Sequence, residues 1–152
     1  MAISKEELLK GRDTEYASDY TQEISDNLDK LLIPMNQIRN EWGQPMIVDS
    51  GWRPPSINAA TPGAAAHSKH MIGLAVDIAD PDGKLMEWVL ANLSLMKELD
   101  IYFEDFRYTP SWVHFQLGAP ASGHRIFVPS SAPAGAPDRW DGEYDHSMDS
   151  AA

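Results

Sequence analysis

The chain has 152 residues, which suits a single domain able to bury about two-thirds of its unfolded surface. It contains no cysteine, so disulfide bonds and thiolate metal sites are excluded. Its formal net charge of −11 at pH 7 argues against nucleic acid as the main partner, because phosphate binding needs clustered lysines and arginines.

The first third of the chain predicts helices. Ser4 and Glu7 have the spacing of a capping box, which would begin a short helix. Apolar residues in steps of three and four then predict an amphipathic helix over about 21–42, with Gly43 as its C-terminal stop. Pro34 lies inside this pattern and is expected to kink the helix or divide it in two.

The rest of the chain predicts β-strands, one long loop and one further helix. Residues 52–69 contain three prolines and Gly63, and they predict an irregular loop of the length that is usually functional. A helix is expected after Gly83, with apolar residues along one face as far as Met96. The predicted strands are residues 46–50, 74–78, 101–103, 112–117 and 125–128. This order predicts an α+β domain with helices packed on one side of a small antiparallel sheet.

Three ionisable side chains from two segments form a candidate metal site. His70 ends the long loop, Asp77 lies in the next strand, and His114 lies in a later strand. Antiparallel pairing of the two strands would bring Asp77 and His114 to one ion, while alternation would place Trp112 and Gln116 on the same face as His114. Two histidines and one carboxylate are the ligands of an open catalytic zinc site. The residue types alone are a weak signal, because a lone histidine in a strand is more often a core residue.

The order and spacing of these residues resemble a known family. Residues 68–77 read S-x-H-x-x-G-x-A-x-D and residues 112–114 read W-x-H. This pattern is similar to the signature of the zinc D-Ala-D-Ala carboxypeptidases and L,D-endopeptidases of the M15 peptidase family, which share a fold with the hedgehog signalling domain. Residues 50–55 with Asn58 resemble an upstream family element, and residues 122–129 resemble the ending of phage-encoded members.

The resemblance, which runs from about residue 27 to residue 129, implies roles for several side chains. It implies one zinc ion per chain held by His70, Asp77 and His114. It also implies that Arg53 orients or polarises the scissile carbonyl, although a salt-bridge role beside Trp52 is the alternative. Four further residues are expected to contact substrate or to support the ligands: Ser50, Asn58, Ser68 and Trp112. Trp112 is equally well explained as a core residue.

The general base is the point at which the chain departs from the family pattern. Many members carry a carboxylate three residues before the last histidine ligand, where this chain has Ser111. A carboxylate is needed because the proton of the attacking water must still be moved. The hedgehog-like arrangement places a glutamate at the end of the preceding strand, which indicates Glu104, with Asp105 as the alternative. If Glu104 is only a surface carboxylate, the protein is a weak or inactive enzyme.

These observations favour a zinc peptidase that hydrolyses peptidoglycan stem peptides, as a carboxypeptidase or an endopeptidase. A virion or tail-associated structural protein with a zinc site but little turnover is the second hypothesis. Cleavage of free D-Ala-D-Ala dipeptide in the cytoplasm is the third. The expected partner is therefore a stem peptide or such a dipeptide, with neither nucleic acid nor membrane, and the sequence does not indicate an oligomeric state.

The two ends of the chain suggest a location and a domain boundary. The N-terminus lacks the apolar stretch of a signal peptide, and no apolar run approaches the ~20 residues that cross a bilayer. The protein is thus expected to be made in the cytoplasm and to act in the cell wall after phage-type release, or as part of a virion. Residues 1–130 would form the domain, with N-terminal helices in 1–43 and the catalytic core in 44–130. Residues 131–152 would be an acidic, Pro/Ala-rich flexible tail.

Overall fold

The computed structural model describes residues 2–129 and residue 132 of the chain. The flexible tail expected over 131–152 lies outside the described residues, except for residue 132. The helices are α1 (Lys5–Leu9), α2 (Arg12–Glu15), α3 (Gln22–Trp42), α4 (Pro55–Ala60), α5 (Lys84–Ala91) and α6 (Leu93–Glu98). The strands are β1 (Val48–Ser50), β2 (Ala75–Ala79), β3 (Ile101–Glu104), β4 (Trp112–Leu117) and β5 (Ile126–Phe127).

Helices α1 and α3 begin where the sequence indicates, whereas α2 is a short helix that the sequence does not predict. The capping box is confirmed, because the Ser4 side chain accepts from the backbone N–H of Glu7 while the Glu7 side chain accepts from that of Ser4. Gly43, the expected stop, directly follows α3 and caps it with a left-handed φ of 75°. Helix α3 runs through Pro34, so of the two expectations at this residue the division is wrong, and the kink stays a prediction. A proline in a helix removes one backbone hydrogen bond. Burial of the apolar residues on both sides of Pro34 stabilises the helix against this loss: Leu28, Leu31, Met35 and Ile38.

The sheet has the strand order β1-β2-β4-β3-β5. Its pairings are antiparallel except for that of β3 with β5, which is parallel. The backbone N–H groups of Phe103 and Asp105 donate to the carbonyls of Arg125 and Phe127, so the chain after β4 returns to run beside β3 in the same direction. The predicted α+β class is therefore confirmed, and the sheet is mixed at one edge.

Side-chain alternation divides the sheet into a core face and a site face. Val76 and Ile78 of β2, together with Val113 and Phe115 of β4, belong to the hydrophobic core that also contains the buried side of α3. Asp77 and His114, at the positions between them, point to the opposite face. The polar residues of both central strands are thus collected on one surface, while the helices cover the other.

Two segments differ from what the sequence indicates: the expected loop contains a helix, and one expected helix is divided into two. Residues 52–69 contain α4, with Pro55 at the first helical position, where the missing N–H costs nothing. The helix expected from Gly83 to Met96 is broken at Asn92, whose side-chain amide donates to the carbonyl of Trp88 at 2.8 Å. Among the described residues no helix is long and apolar enough to span a membrane.

Candidate metal centre

The three candidate ligands converge on the site face of the sheet. His70 lies on a 3-10 turn (Lys69–Ile72), Asp77 lies in β2, and His114 lies directly opposite Asp77 in β4. The expected antiparallel pairing of these strands is thus confirmed. One donor atom from each residue lies within 4.8 Å of the other two, and all three side chains are buried. Gly73 makes the turn from the first ligand to the second, with a φ of 81° that favours glycine.

His70 offers a lone pair that has no partner among the described residues. Its Nδ1 lies 2.8 Å from the carbonyl oxygen of Gly51, which can only accept, so Nδ1 carries the proton. Its Nε2 makes no hydrogen bond although it lies 3.2 Å from Oδ1 of Asp77. Burial lowers the pKa of His70, which keeps the ring neutral. A buried nitrogen lone pair facing a carboxylate oxygen is the arrangement that a metal cation satisfies.

Asp77 and His114 supply the other two donors. Nδ1 of His114 lies 2.9 Å from Oδ1 of Asp77 and 4.0 Å from Oε1 of Glu104. Burial raises the pKa of Asp77, but its contacts with both histidines outweigh this and hold that pKa well below its usual range. Burial lowers the pKa of His114, yet the charge of Glu104 and the hydrogen bond to Asp77 raise it to about 9. A metal bound at this site would therefore displace a proton from His114.

Arg53 is bound to the outer oxygen of the ligand carboxylate. Its Nη2 lies 3.1 Å from Oδ2 of Asp77, and its Nε donates to Oγ of Ser50 at 3.0 Å. Its Nη1 lies 3.4 Å from Oδ1 of Asn58. Ser50 and Asn58 thus hold the guanidinium, and the guanidinium holds Asp77. Two of its five N–H donors have no partner among the described residues, and Arg53 lines the cleft; the expected contact with a substrate carbonyl stays a prediction.

The structure separates the two candidates for the general base. Glu104 ends β3 and lines the same cleft as the ligands, and burial raises its pKa. Asp105 is fully buried and its carboxylate pairs with Arg107 at 2.7 Å, outside the residues that line the cleft. Ser111 is exposed and also lies outside that lining. The geometry therefore favours Glu104, whose catalytic role stays a prediction.

The cleft above the ligands has a volume of about 250 Å³. Residues 61–65 form one wall, and the half-buried Trp112 contributes to another. Ser68 lines the cleft and its hydroxyl accepts from the backbone N–H of His70 at 3.2 Å, so this residue holds the turn that carries a ligand. The exposed His67 is not among the residues that line the cleft.

The Ser-Gly-Trp-Arg segment connects α1 to the turn that bears His70. The backbone N–H of Trp52 donates to the carbonyl of Leu8 at 2.9 Å, and its indole N–H donates to that of Met71 at 3.0 Å. The backbone N–H of Arg53 donates to the carbonyl of His70 at 3.0 Å. Gly51 lies so close to Leu8 that a Cβ atom would collide with its carbonyl oxygen. The glycine is thus required by a close approach of two backbones.

Gly51→Ala is expected to destabilise the fold by about 1–3 kcal/mol and to weaken zinc binding, because the added methyl group must move either α1 or the carbonyl that holds His70. Chemical denaturation and a zinc titration measure the two effects. Gly43→Ala is the matched control: it introduces left-handed strain of about 1–2 kcal/mol but meets no atom within 4 Å. Equal zinc affinity in both variants would contradict the link between Gly51 and the site.

Gln116 also lies at the site, although the sequence predicts no role for it. Its Oε1 lies 2.9 Å from Nε2 of His114. The signal for it was present, because a residue two positions from His114 on a strand shares its face. The contact between the carbonyl of Gly51 and His70, in contrast, cannot be predicted from the residue pattern, because it involves a backbone atom.

An open site with two imidazoles, one carboxylate and a second carboxylate nearby defines a metal-dependent hydrolytic class of protein. The family model described as Peptidase M15 matches residues 2–116, and the chain belongs to this family of zinc-dependent metallopeptidases. The match includes the three candidate ligands and Glu104 but ends before residues 122–129, whose resemblance to phage-encoded members stays a prediction. The chain has no significant match among curated proteins or solved structures.

Proposed function

We propose that the protein is a zinc peptidase that hydrolyses the stem peptides of peptidoglycan. The observation that supports the metal is Nε2 of His70, which makes no hydrogen bond within the described part of the chain and lies beside the ionised carboxylate of Asp77 and near His114. Nitrogen and carboxylate donors in this number suit zinc, and three protein ligands keep one position open. When bound, zinc supplies a Lewis acid and a water of lowered pKa.

The surrounding side chains divide the remaining chemistry between them. Glu104 accepts a proton from the attacking water and returns it to the leaving amine, and its raised pKa brings it nearer to neutral pH, where such exchange is most efficient. Arg53 keeps Asp77 in place through Oδ2, and its remaining N–H groups stabilise negative charge that develops on the carbonyl oxygen. Burial of Arg53 strengthens both interactions, because water screens them less.

The substrate class rests on the family resemblance and is tested directly. Purified sacculi, soluble muropeptides and D-Ala-D-Ala dipeptide are incubated with the zinc-loaded protein, and mass spectrometry identifies the products. Cleavage of muropeptides supports action in the cell wall after release, and the fragment masses distinguish a carboxypeptidase from an L,D-endopeptidase. Cleavage of the dipeptide alone would favour a cytoplasmic dipeptidase.

One observation favours a second candidate function. Ser111 occupies the position at which many family members carry the base, so a structural protein that keeps the metal without turnover is the alternative. Stoichiometric zinc in the purified protein, without cleavage of any of the three substrates, would support that alternative.

Removal of zinc is expected to lower the thermal stability, because an ion that binds only the folded chain adds RT ln(1 + [Zn]/Kd) to the unfolding free energy. At a zinc concentration of about 1,000 Kd this is roughly 4 kcal/mol, or a melting temperature about 10 °C higher for a domain of this size. Differential scanning calorimetry with and without a chelator measures the shift. Identical melting temperatures in protein shown to hold zinc would contradict the proposed ligand set.

A further inference from the structure

Gln116 makes a short chain of hydrogen bonds behind His114. The residue is 5% exposed, and its Oε1 lies 2.9 Å from Nε2 of His114. Its Nε2 donates to the carbonyl of Gly118 at 3.1 Å, and the backbone N–H of Gly118 donates in turn to the carbonyl of Asp100 at 3.2 Å. Because β4 is paired with β2 on one side and β3 on the other, the backbone of Gln116 is fixed as well.

The direction of these hydrogen bonds is set by carbonyl oxygens, which can accept a hydrogen bond but cannot donate one. The carbonyl of Gly118 can only accept, so the amide nitrogen of Gln116 must face it. The amide oxygen of Gln116 then faces the imidazole of His114, and since this oxygen can only accept, Nε2 of His114 must carry a proton. The lone pair of the neutral ring is thereby placed on Nδ1, the atom nearest to Asp77.

We propose that Gln116 is a positioning residue that holds His114 in the Nε2–H tautomer and so presents Nδ1 to the metal. Gly51 has the opposite effect on His70, where it fixes the proton on Nδ1 and leaves Nε2 to bind. The two histidine ligands therefore use different ring nitrogens. The inference rests on the proposed function only in taking His114 as a zinc ligand, and it makes no use of peptide cleavage.

The affinity test compares variants that keep or lose the acceptor. Gln116→Leu and Gln116→Met fill the space without accepting, and we expect them to bind zinc 10–100-fold more weakly, as measured by competition with a chromophoric chelator. Gln116→Glu keeps the acceptor for His114 but loses the donor to the carbonyl of Gly118, so it is expected to recover part of that loss. Thr109→Val is the matched control, because the hydroxyl of Thr109 is buried without a partner among the described residues. It should bind zinc as the wild type does.

The tautomer test reads the two rings directly. In the zinc-loaded protein labelled with ¹⁵N-histidine, NMR should show His114 bound through Nδ1 with a slowly exchanging Nε2–H, and His70 with the two roles reversed. In Gln116→Met the Nε2–H of His114 should exchange faster with water. A purely structural role for Gln116 would change stability without moving this signal.

Several outcomes would overturn the inference. Zinc affinity within about twofold of wild type in Gln116→Leu and Gln116→Met would do so, as would binding of zinc through Nε2 of His114 in the wild type. The wild-type spectrum tests the predicted tautomers even if both variants fail to fold. A wild type that takes up no zinc would overturn the metal site and the inference together. Zinc binding that depends on Gln116, without any peptide cleavage, would overturn only the proposed peptidase activity.

Discussion

His114→Ala is expected to abolish stoichiometric zinc uptake and to reduce hydrolysis to background. The substitution removes one of three donors and also the positive charge that faces Asp77 and Glu104, so the buried Asp77 and the partly buried Glu104 are left to repel each other. Loss of a catalytic metal removes several kcal/mol of transition-state stabilisation, which corresponds to about 10³-fold or more in rate. Metal analysis of the purified protein and a muropeptide assay measure the two losses.

Two further variants make this result specific. Asp77→Asn keeps the size of the side chain and an oxygen that can accept a hydrogen bond from Arg53. It removes the negative charge of the ligand, so the variant should also lose zinc. His67→Ala removes an exposed histidine three residues from His70 and should keep both zinc and activity. Full zinc occupancy in His114→Ala would show that the ion is held elsewhere and would remove the basis of the proposed site.

The positions of His114 and Asp77 could be predicted because strand pairing follows from local patterns. The run from Trp112 to Leu117 alternates clearly, and the structure assigns a strand to the same residues. Once β2 and β4 pair antiparallel, the register needs only to bury Val76, Ile78, Val113 and Phe115 on one face. Burial of these four residues on one face places Asp77 and His114 on the other face.

Other features depend on contacts between distant segments and carry no local signal. The parallel pairing of β5 with β3 is set by the path of residues 118–125, and a two-residue strand does not indicate its direction. The carbonyl of Gly51 reaches His70 only because α1 packs against residues 51 and 52. The position of Asp105 is only partly predictable from the sequence. Alternation would place its side chain on the other face of the sheet from Glu104, but only if the strand extends as far as Asp105.

Glu104→Gln is expected to keep zinc and to lower kcat by about 10²–10⁴-fold. Glutamine has the same shape and preserves packing against the cleft, but it cannot accept a proton at neutral pH. Glu104 lies 4.0 Å from Nδ1 of His114 and lines the cleft, so the change acts on the step in which the water loses its proton. Zinc content, kcat and KM on muropeptides are measured together, and KM should change little.

Asp105→Asn is the matched control, since it makes the same chemical change one residue away. Its carboxylate is buried, paired with Arg107 and outside the residues that line the cleft, so we expect a loss of about 1–3 kcal/mol in stability with kcat unchanged. The two variants therefore separate the roles of neighbouring carboxylates. A Glu104→Gln protein with undiminished turnover, beside an inactive Asp105→Asn protein that still folds, would transfer the base to Asp105. Loss of turnover in Glu104→Gln alone, with zinc retained, would show that a glutamate at the end of β3 replaces the base that Ser111 cannot supply.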